Sequence, residues 1–385
     1  MKNKILAILP SKVLYGKERS NIEVYNLLKK EGQEVVVLAN NSRNENLNQA
    51  LDALDVKSFN YPKRNRKSFR LVGYILDFVI ANWKLRKIIK SENPDVLFFC
   101  TETSFYDLYF AIRKFKGKII YRIGDAPAFR KLSFFKYNSW VWNSFVVKKV
   151  DIIVSISNYI KSTIIDVGRN SDKDIVIYNY PPTRLSSTNL KKPKIMLDKE
   201  NDLNLIHFGF IGQILPQKGI YELILAANSL FDRDFRFKLF IAGGLESEPV
   251  YTKLLLNSVK NEYRDLIVFL DEVEDIETFF SGIDVLCVPS IKQEPLGNVL
   301  VEAKMFKTPC VIFPSGGMQE LIQDRVDGFI CKDQTVESLL EGMLYYLNNK
   351  DLIEKHSLSS YNSIEKLGIN RVVFERKWKR VFGIN

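Results

Sequence analysis

Two glutamates, Glu294 and Glu302, bracket the run QEPLGNVLVEAKMF (293–306). Before it, the apolar stretch IDVLCVPS (283–290) reads as a buried strand, and from Val299 to Phe306 the pattern is that of an amphipathic helix. Pro295 and Gly297 break the chain between them. The first carboxylate therefore belongs to a loop at a strand's carboxyl end, and the second lies just inside the helix. An ionised carboxylate only accepts hydrogen bonds and can take two adjacent hydroxyls. The N–H groups of a helix start favour phosphate. Together they suit a ligand carrying both sugar hydroxyls and phosphate. On spacing alone, a plain strand–turn–helix with two solvated glutamates fits equally well.

The elements that must hold these groups come in two series. In the first half, KILAIL (4–9), EVVVLA (34–39), DVLFFC (95–100), KIIYRI (118–123) and DIIVSI (151–156) are short apolar runs rich in β-branched residues. Helical patterns such as Ser20–Lys30 and Phe69–Lys90 separate them. The second half repeats this order with NLIHFGFIG (204–212), FKLFIAGG (237–244), LIVFLDE (266–272), DVLCVPS (284–290) and TPCVIFP (308–314). Helical patterns at Gly219–Leu230 and Val299–Phe306 lie between them. Continuous rather than alternating apolar runs imply parallel strands buried on both faces. Their alternation with helices implies right-handed βαβ units. The expected class is α/β, with two Rossmann-like, doubly wound domains. The polar, proline-containing stretch around 183–202 reads as the linker. The boundaries expected are 1–182 for the first domain, 203–369 for the second and 370–385 for a final amphipathic helix.

With 385 residues the chain has room for two domains, and 46% apolar with 26% charged residues is a globular composition. Cys100, Cys287, Cys310 and Cys331 are far apart and form no CxxC pair, which suits buried thiols in a reducing compartment. The apolar run after the first lysines ends at Pro10. It is too short for a signal peptide or a membrane span, and reads as a first strand. A net charge of +11 favours an anionic partner.

The run PSIKQEPLGNVLVEAKMFKTPCVIFPSGGMQELIQDRVDGFI (289–330) resembles the E-x7-E element and the following strand and GG-x-x-E loop of the family 4 retaining glycosyltransferases. Glu294, Pro295, Gly297, Glu302, Ala303, Pro309, Gly316, Gly317, Glu320 and Gly328 carry the match. The resemblance implies the GT-B fold, two Rossmann-like domains facing across a cleft with the C-terminal helix returning to the first. It implies that Glu302 accepts from the donor ribose and that Glu294 lies against the transferred sugar. Backbone N–H groups of Leu296, Gly297 and Asn298 would meet donor oxygens. GFIGQILPQKG (209–219) is similar to the family's phosphate-binding element, with Gly212, Lys218 and Gly219 in place. Gln213, however, stands where the family has arginine, and an amide brings no charge. Lys292, Arg19 and Arg122 are the candidate replacements. Gly244 and Val273 would border the base.

The first half matches more weakly. DIIVSISNYIKSTI (151–164) and VIYNYPP (176–182) carry that match. Gly16 is the lone glycine of PSKVLYGKERSN (10–21), where the family has a Gly-rich loop, and Lys12, Lys17 and Arg19 make this loop basic. Asp125, after KIIYRI, is a candidate polar group beside the reacting centre, and a turn aspartate is its plainer reading. Arg19 and Arg122 are acceptor-side candidates, with support of the loop the plainer reading of Arg122. The function so implied is retaining, metal-independent transfer of a sugar from a nucleotide-diphospho-sugar to a glycan or lipid-linked acceptor. No other cofactor is expected. The alternatives are a nonenzymatic or weakly active nucleotide-sugar-binding subunit and a sugar-nucleotide epimerase of the same fold.

Other charged residues are discounted. The DxD pairs Asp172–Asp174 and Asp232–Asp234 read as solvated loop charges, His207 as packed and His356 as exposed. No zinc site and no nucleic-acid motif is expected. Basic and aromatic residues interleave at 61–90 and 128–150, which suits an anionic membrane surface. The expected location is cytoplasmic, peripheral on the inner face of the membrane, in bacterial surface-polysaccharide assembly.

Overall fold

The computed structural model describes residues 2–12, 14, 16–40, 43–60, 71–101, 103–127, 136–180, 205–273 and 275–384. The chain divides into two compact units, Met1–Pro182 with Arg371–Asn385, and Thr183–Asn370. The expected linker at 183–202 lies outside the described residues.

The first unit is built on seven parallel strands in the order β3-β2-β1-β4-β5-β6-β7. These are β1 (Lys4–Leu9), β2 (Glu34–Ala39), β3 (Lys57–Asn60), β4 (Val96–Phe99), β5 (Lys118–Ile123), β6 (Ile152–Ser155) and β7 (Ile175–Val176). The central runs are apolar throughout because both sheet faces are covered: every residue of Ile5–Leu9 is buried. β3 and β7 escaped notice in the sequence for physical reasons. KSFN, at the sheet's edge, is almost wholly exposed and needs no apolar run, and β7 has only two residues.

The last helix, Arg371–Phe382, belongs to this unit. Its inward face, Phe374, Trp378, Val381 and Phe382, joins the core formed by Ile5, Val37 and Phe98. Trp378 and Phe382 both meet the Phe98 ring edge-on, at 5.6 and 5.4 Å between centroids. Lys118 Nζ donates to the Val381 carbonyl at 2.5 Å.

One charged cluster ties the opening strands to the long helix Leu71–Glu92. Glu92, nearly buried, accepts from Lys57 at 2.5 Å and Lys4 at 2.9 Å, and Lys4 also reaches Glu34 at 2.7 Å. Hydrogen bonds from Lys57 and Lys4 hold the Glu92 carboxyl below the usual range. A depressed folded-state pKa gives stability that is present above the unfolded pKa and fades as pH falls through the folded one. Glu92→Gln is therefore expected to cost on the order of 1 kcal/mol near neutrality. In urea melts its difference from the parent should shrink towards zero as pH drops below the carboxylate range. A difference independent of pH removes this reading.

The second unit has six parallel strands in the order β10-β9-β8-β11-β12-β13. They are β8 (Ile206–Ile211), β9 (Phe237–Ala242), β10 (Ile267–Leu270), β11 (Val285–Val288), β12 (Cys310–Ile312) and β13 (Gly328–Ile330). Its core gathers Phe208, Ile224, Leu239, Val285, Val311 and Tyr346, among others. The order reverses between β8 and β11, which lie side by side with Phe208 paired to Val285. In open α/β sheets such a reversal opens a crevice at the strands' carboxyl ends. The loops leaving β8 and β11 are therefore neighbours.

Candidate functional site

The loop after β8 carries Gly212, Gln213 and Lys218, and the loop after β11 carries Glu294. The backbone stitches the two together. Ile291 and Lys292 N–H groups donate to the Gln217 carbonyl at 3.0 and 3.4 Å. Gly219 sits at φ +72°, and a Cβ there would lie 1.8 Å from the Pro289 carbonyl oxygen. Only glycine allows that approach. The result places Lys218 Nζ 2.6 Å from Glu294 Oε1, both side chains partly buried.

Glu294 itself is seated from below. Its N–H donates to Ser315 Oγ at 3.0 Å, and Ser315 Oγ donates to the Lys292 carbonyl at 2.8 Å. Gly316 N–H donates to Gln293 Oε1 at 2.7 Å, and Gly317 N–H to the Glu294 carbonyl at 2.8 Å. Cβ atoms at Gly316 and Gly317 would fall 2.2 and 2.3 Å from the carbonyl oxygens of Glu294 and Pro295. The paired glycines thus let one loop pass directly beneath the other. Sequence reading matched the glycines but missed Ser315 and Gln293, which complete the seat. A hydroxyl and an amide flanking tight turns were the only signal.

The helix Asn298–Met305 follows, capped by Gly297 at φ +85°. Leu296 is buried and pins the turn. In its first turn, Leu300 N–H donates to the Gly297 carbonyl at 3.0 Å. Glu302 is half-buried on the same helix. Gln213 is exposed, and its carbonyl accepts from Leu215 N–H at 3.0 Å. Lys292 is exposed on the same side-by-side pair of loops. Gly244, in the turn after β9, has open space where a Cβ would stand, and Val273 lies half-buried after β10.

In the first unit, Gly16 opens the helix Gly16–Lys30 and Asp125 lies in the turn after β5. Lys17, from that helix's first turn, approaches exposed Asp125 at 3.4 Å. Arg19 is half-buried one residue further on from the buried Glu18. Arg122 takes the loop-supporting place rather than the acceptor-side one. It is 2% exposed, and donates to Ser20 Oγ at 2.6 Å, to Asn179 Oδ1 at 2.5 Å and to Asn21 Oδ1. Burial pushes its pKa down to about 10. Pointing inward from β5, it clamps the helix start to the chain after β7 rather than meeting a ligand.

Two discounted residues also differ from expectation. Asp174 is buried, not solvated: Arg169 grips it with two bonds of 2.8 Å, and its Oδ1 accepts from Ile153 N–H. His356 is buried too, with Nδ1 2.9 Å from the Tyr346 hydroxyl. It shares the inward face of helix Asp351–Leu367 with Ser360, while charged neighbours in sequence made it look exposed. Asp232 is a surface group held by Lys260 and Tyr263, and His207 is packed in β8. All four cysteines are buried free thiols. Burial pushes Cys100 up to about 11, far from a reactive thiolate. Among the described residues, no three His, Cys, Asp or Glu side chains gather as a metal set.

Two family models match this chain. One, glycosyl transferases group 1, covers residues 192–364, and the other, glycosyltransferase family 4, covers 15–180. Together they take in most of the sequence. The chain belongs to the group 1, family 4 glycosyltransferases. It is similar to an uncharacterized glycosyltransferase of Haemophilus influenzae, 23% identical over 374 residues, covering 95% of this chain and 96% of that one. It is also similar to the capsular polysaccharide biosynthesis glycosyltransferase CapM of Staphylococcus aureus, 23% identical over 58% of this chain and 59% of that protein. The solved structure of Anabaena Alr3699/HepE in complex with UDP and glucose superposes with a TM-score of 0.77, 18% identity and 99% of both chains covered. The fold of this glycosyltransferase is accordingly GT-B.

Proposed function

We propose that this glycosyltransferase moves a sugar, with retention at the anomeric carbon and without a metal, from a nucleotide-diphospho-sugar to a hydroxyl of a glycan or lipid-linked acceptor. The observation that carries the donor reading is the Lys218–Glu294 pair at the β8/β11 switch point, with Glu302 on the helix behind it. A diphosphate arriving there meets a cation already engaged by a carboxylate. Donor binding exchanges Lys218 from Glu294 to the phosphates. That exchange frees Glu294 to accept from the sugar's hydroxyls. Glu302 takes the ribose hydroxyls, and the backbone from Leu296 to Asn298 faces donor oxygens. Gly244, with open space beside it, and half-buried Val273 suit a base held mainly by backbone.

Among the described residues, no side chain near the pair is built as a nucleophile, so catalysis is electrostatic. As the anomeric carbon–oxygen bond breaks, Lys218 and the helix start stabilise the departing diphosphate. One of its oxygens takes the acceptor proton while the acceptor oxygen bonds to the same face. Asp125 serves as a hydrogen-bonding group for the acceptor or a sugar hydroxyl. Gln213 contributes no charge, and exposed Lys292 on the neighbouring loop makes up for it.

The relative named for capsular polysaccharide biosynthesis supports a destination in bacterial surface polysaccharide or glycolipid. The basic–aromatic segments 61–90 and 128–150 support an acceptor presented at an anionic membrane on the cytoplasmic side. Residues 61–70 and 128–135 of those segments lie outside the described residues. Among the described residues, no helix is long and apolar enough to cross a membrane.

Thermal melting of the purified protein against a panel of nucleotide sugars tests the donor reading. One compound class is expected to raise the midpoint by several degrees in a concentration-dependent way. No stabilisation by any nucleotide sugar defeats it. Stabilisation without turnover on any acceptor points to a binding subunit, and product without acceptor to an epimerase.

A further inference from the structure

The long helix Leu71–Glu92 leaves a large apolar face uncovered. Ile75, Leu76, Val79, Ile80 and Trp83 are each between 46% and 57% exposed. Helical spacing puts them in one row, where a water-facing helix ordinarily carries polar residues. Continuing along the same side, Lys84, Arg86, Lys87 and Lys90 are exposed. Lys87 Nζ stands 3.6 Å from the centre of the Trp83 ring. The aromatic surface extends onto neighbouring helices. Phe110 meets Phe78 at 5.7 Å, and half-exposed Trp140 meets Tyr109 at 5.1 Å.

The face is rigid. Asn82 Nδ2 donates to the Asp107 carbonyl at 2.9 Å, and its Oδ1 accepts from Ala111 N–H at 2.8 Å. Arg86 donates to the Phe110 carbonyl at 2.8 Å. The helix is thus bolted to its neighbour on one side while presenting bulky apolar groups on the other.

We propose that this face seats the first unit on an anionic bilayer, with the row from Ile75 to Trp83 entering the boundary between headgroups and acyl chains. Lys84, Arg86, Lys87 and Lys90 then lie at headgroup level against lipid phosphates. Apolar side chains that enter this boundary, next to Lys and Arg side chains long enough to reach the headgroups, combine the two attractions of interfacial binding. Charge selects the occupant. A second copy docked face to face would set these four cations against their own counterparts, whereas anionic lipid pairs each one. The inference deepens the membrane-facing reading of the acceptor and is independent of the donor-site assignment.

Co-sedimentation with vesicles of phosphatidylcholine mixed with phosphatidylglycerol, and of phosphatidylcholine alone, tests it. The parent is expected to bind the mixed vesicles far better. Lys84→Glu with Lys87→Glu should weaken that binding about 25-fold or more, since each surface cation contributes about fivefold. Leu76→Glu with Ile80→Glu should weaken it about tenfold or more. All four side chains are exposed, so melting curves and stabilisation by nucleotide sugar should match the parent. Undiminished binding by both variants overturns the choice of face while leaving a membrane partner standing. No binding by the parent overturns the membrane reading as well. A parent dimer that the Leu76→Glu, Ile80→Glu variant dissolves, with vesicle binding unchanged, assigns the face to a second copy instead.

Discussion

Lys218→Ala is expected to cut sugar transfer by about 10²–10³-fold, the range for deleting one preorganised charge stabiliser of a transition state. Stability should hardly move, because a partly exposed ion pair contributes about 0–1 kcal/mol. Glu294→Ala should lose turnover on a comparable scale, and the two variants should then part company in binding. With Lys218 gone, affinity for the nucleoside diphosphate falls. With Glu294 gone, Lys218 no longer has to leave a carboxylate 2.6 Å away. The sugarless diphosphate should therefore bind as tightly as to the parent or more tightly, while turnover collapses. Titration calorimetry of both variants beside steady-state rates resolves this. Near-native turnover in both defeats the site assignment. Parallel loss of diphosphate affinity in both defeats the exchange of partners. A melting temperature that drops with unchanged turnover makes the pair a structural brace.

Much of this site could be read from the chain because its parts are local. Glu294, Gly297 and Glu302 lie within one strand–turn–helix, and apolar runs buried on both faces announce parallel strands. Gly219 and the Gly316–Gly317 pair were legible as glycines, but what they permit was not. Each allows a carbonyl from a distant loop to approach closer than any side chain allows. Long-range partners of polar groups were hidden for the same reason. Nothing near Arg122 in sequence says that Ser20, Asn21 and Asn179 converge on it. Asp174, in the turn before β7, and His356, on the helix Asp351–Leu367, sit among charged neighbours and look solvated, yet both are buried. Composition along the chain reports average polarity. It does not report which single residue on a polar segment turns inward.

Lys304 is the strongest case of that kind, and it carries the second large effect. Two positions after Glu302, it is fully buried, with Nζ donating to Asp327 Oδ2 at 2.9 Å and to Ser363 Oγ at 2.8 Å. Asp327 in turn accepts from Gln323 N–H at 2.8 Å. The pair fastens the Glu302 helix to the loop before β13 and to the helix Asp351–Leu367. Lys304→Met keeps the apolar stem and removes the charge, leaving a carboxylate buried without its cation. Breaking one side of such a pair costs about 3–5 kcal/mol. In a unit of this size the melting midpoint should drop by roughly 10 °C. Adding Asp327→Asn removes the stranded charge, so the double variant should recover more than half of that loss. Calorimetry on the parent, both single variants and the double variant measures the coupling directly. If Lys304→Met and Asp327→Asn cost little and add independently, the helix is held by packing alone. If they couple strongly, the donor KM should rise in Lys304→Met and return toward the parent value in the double variant, because Glu302 rides on the helix that the pair holds in place.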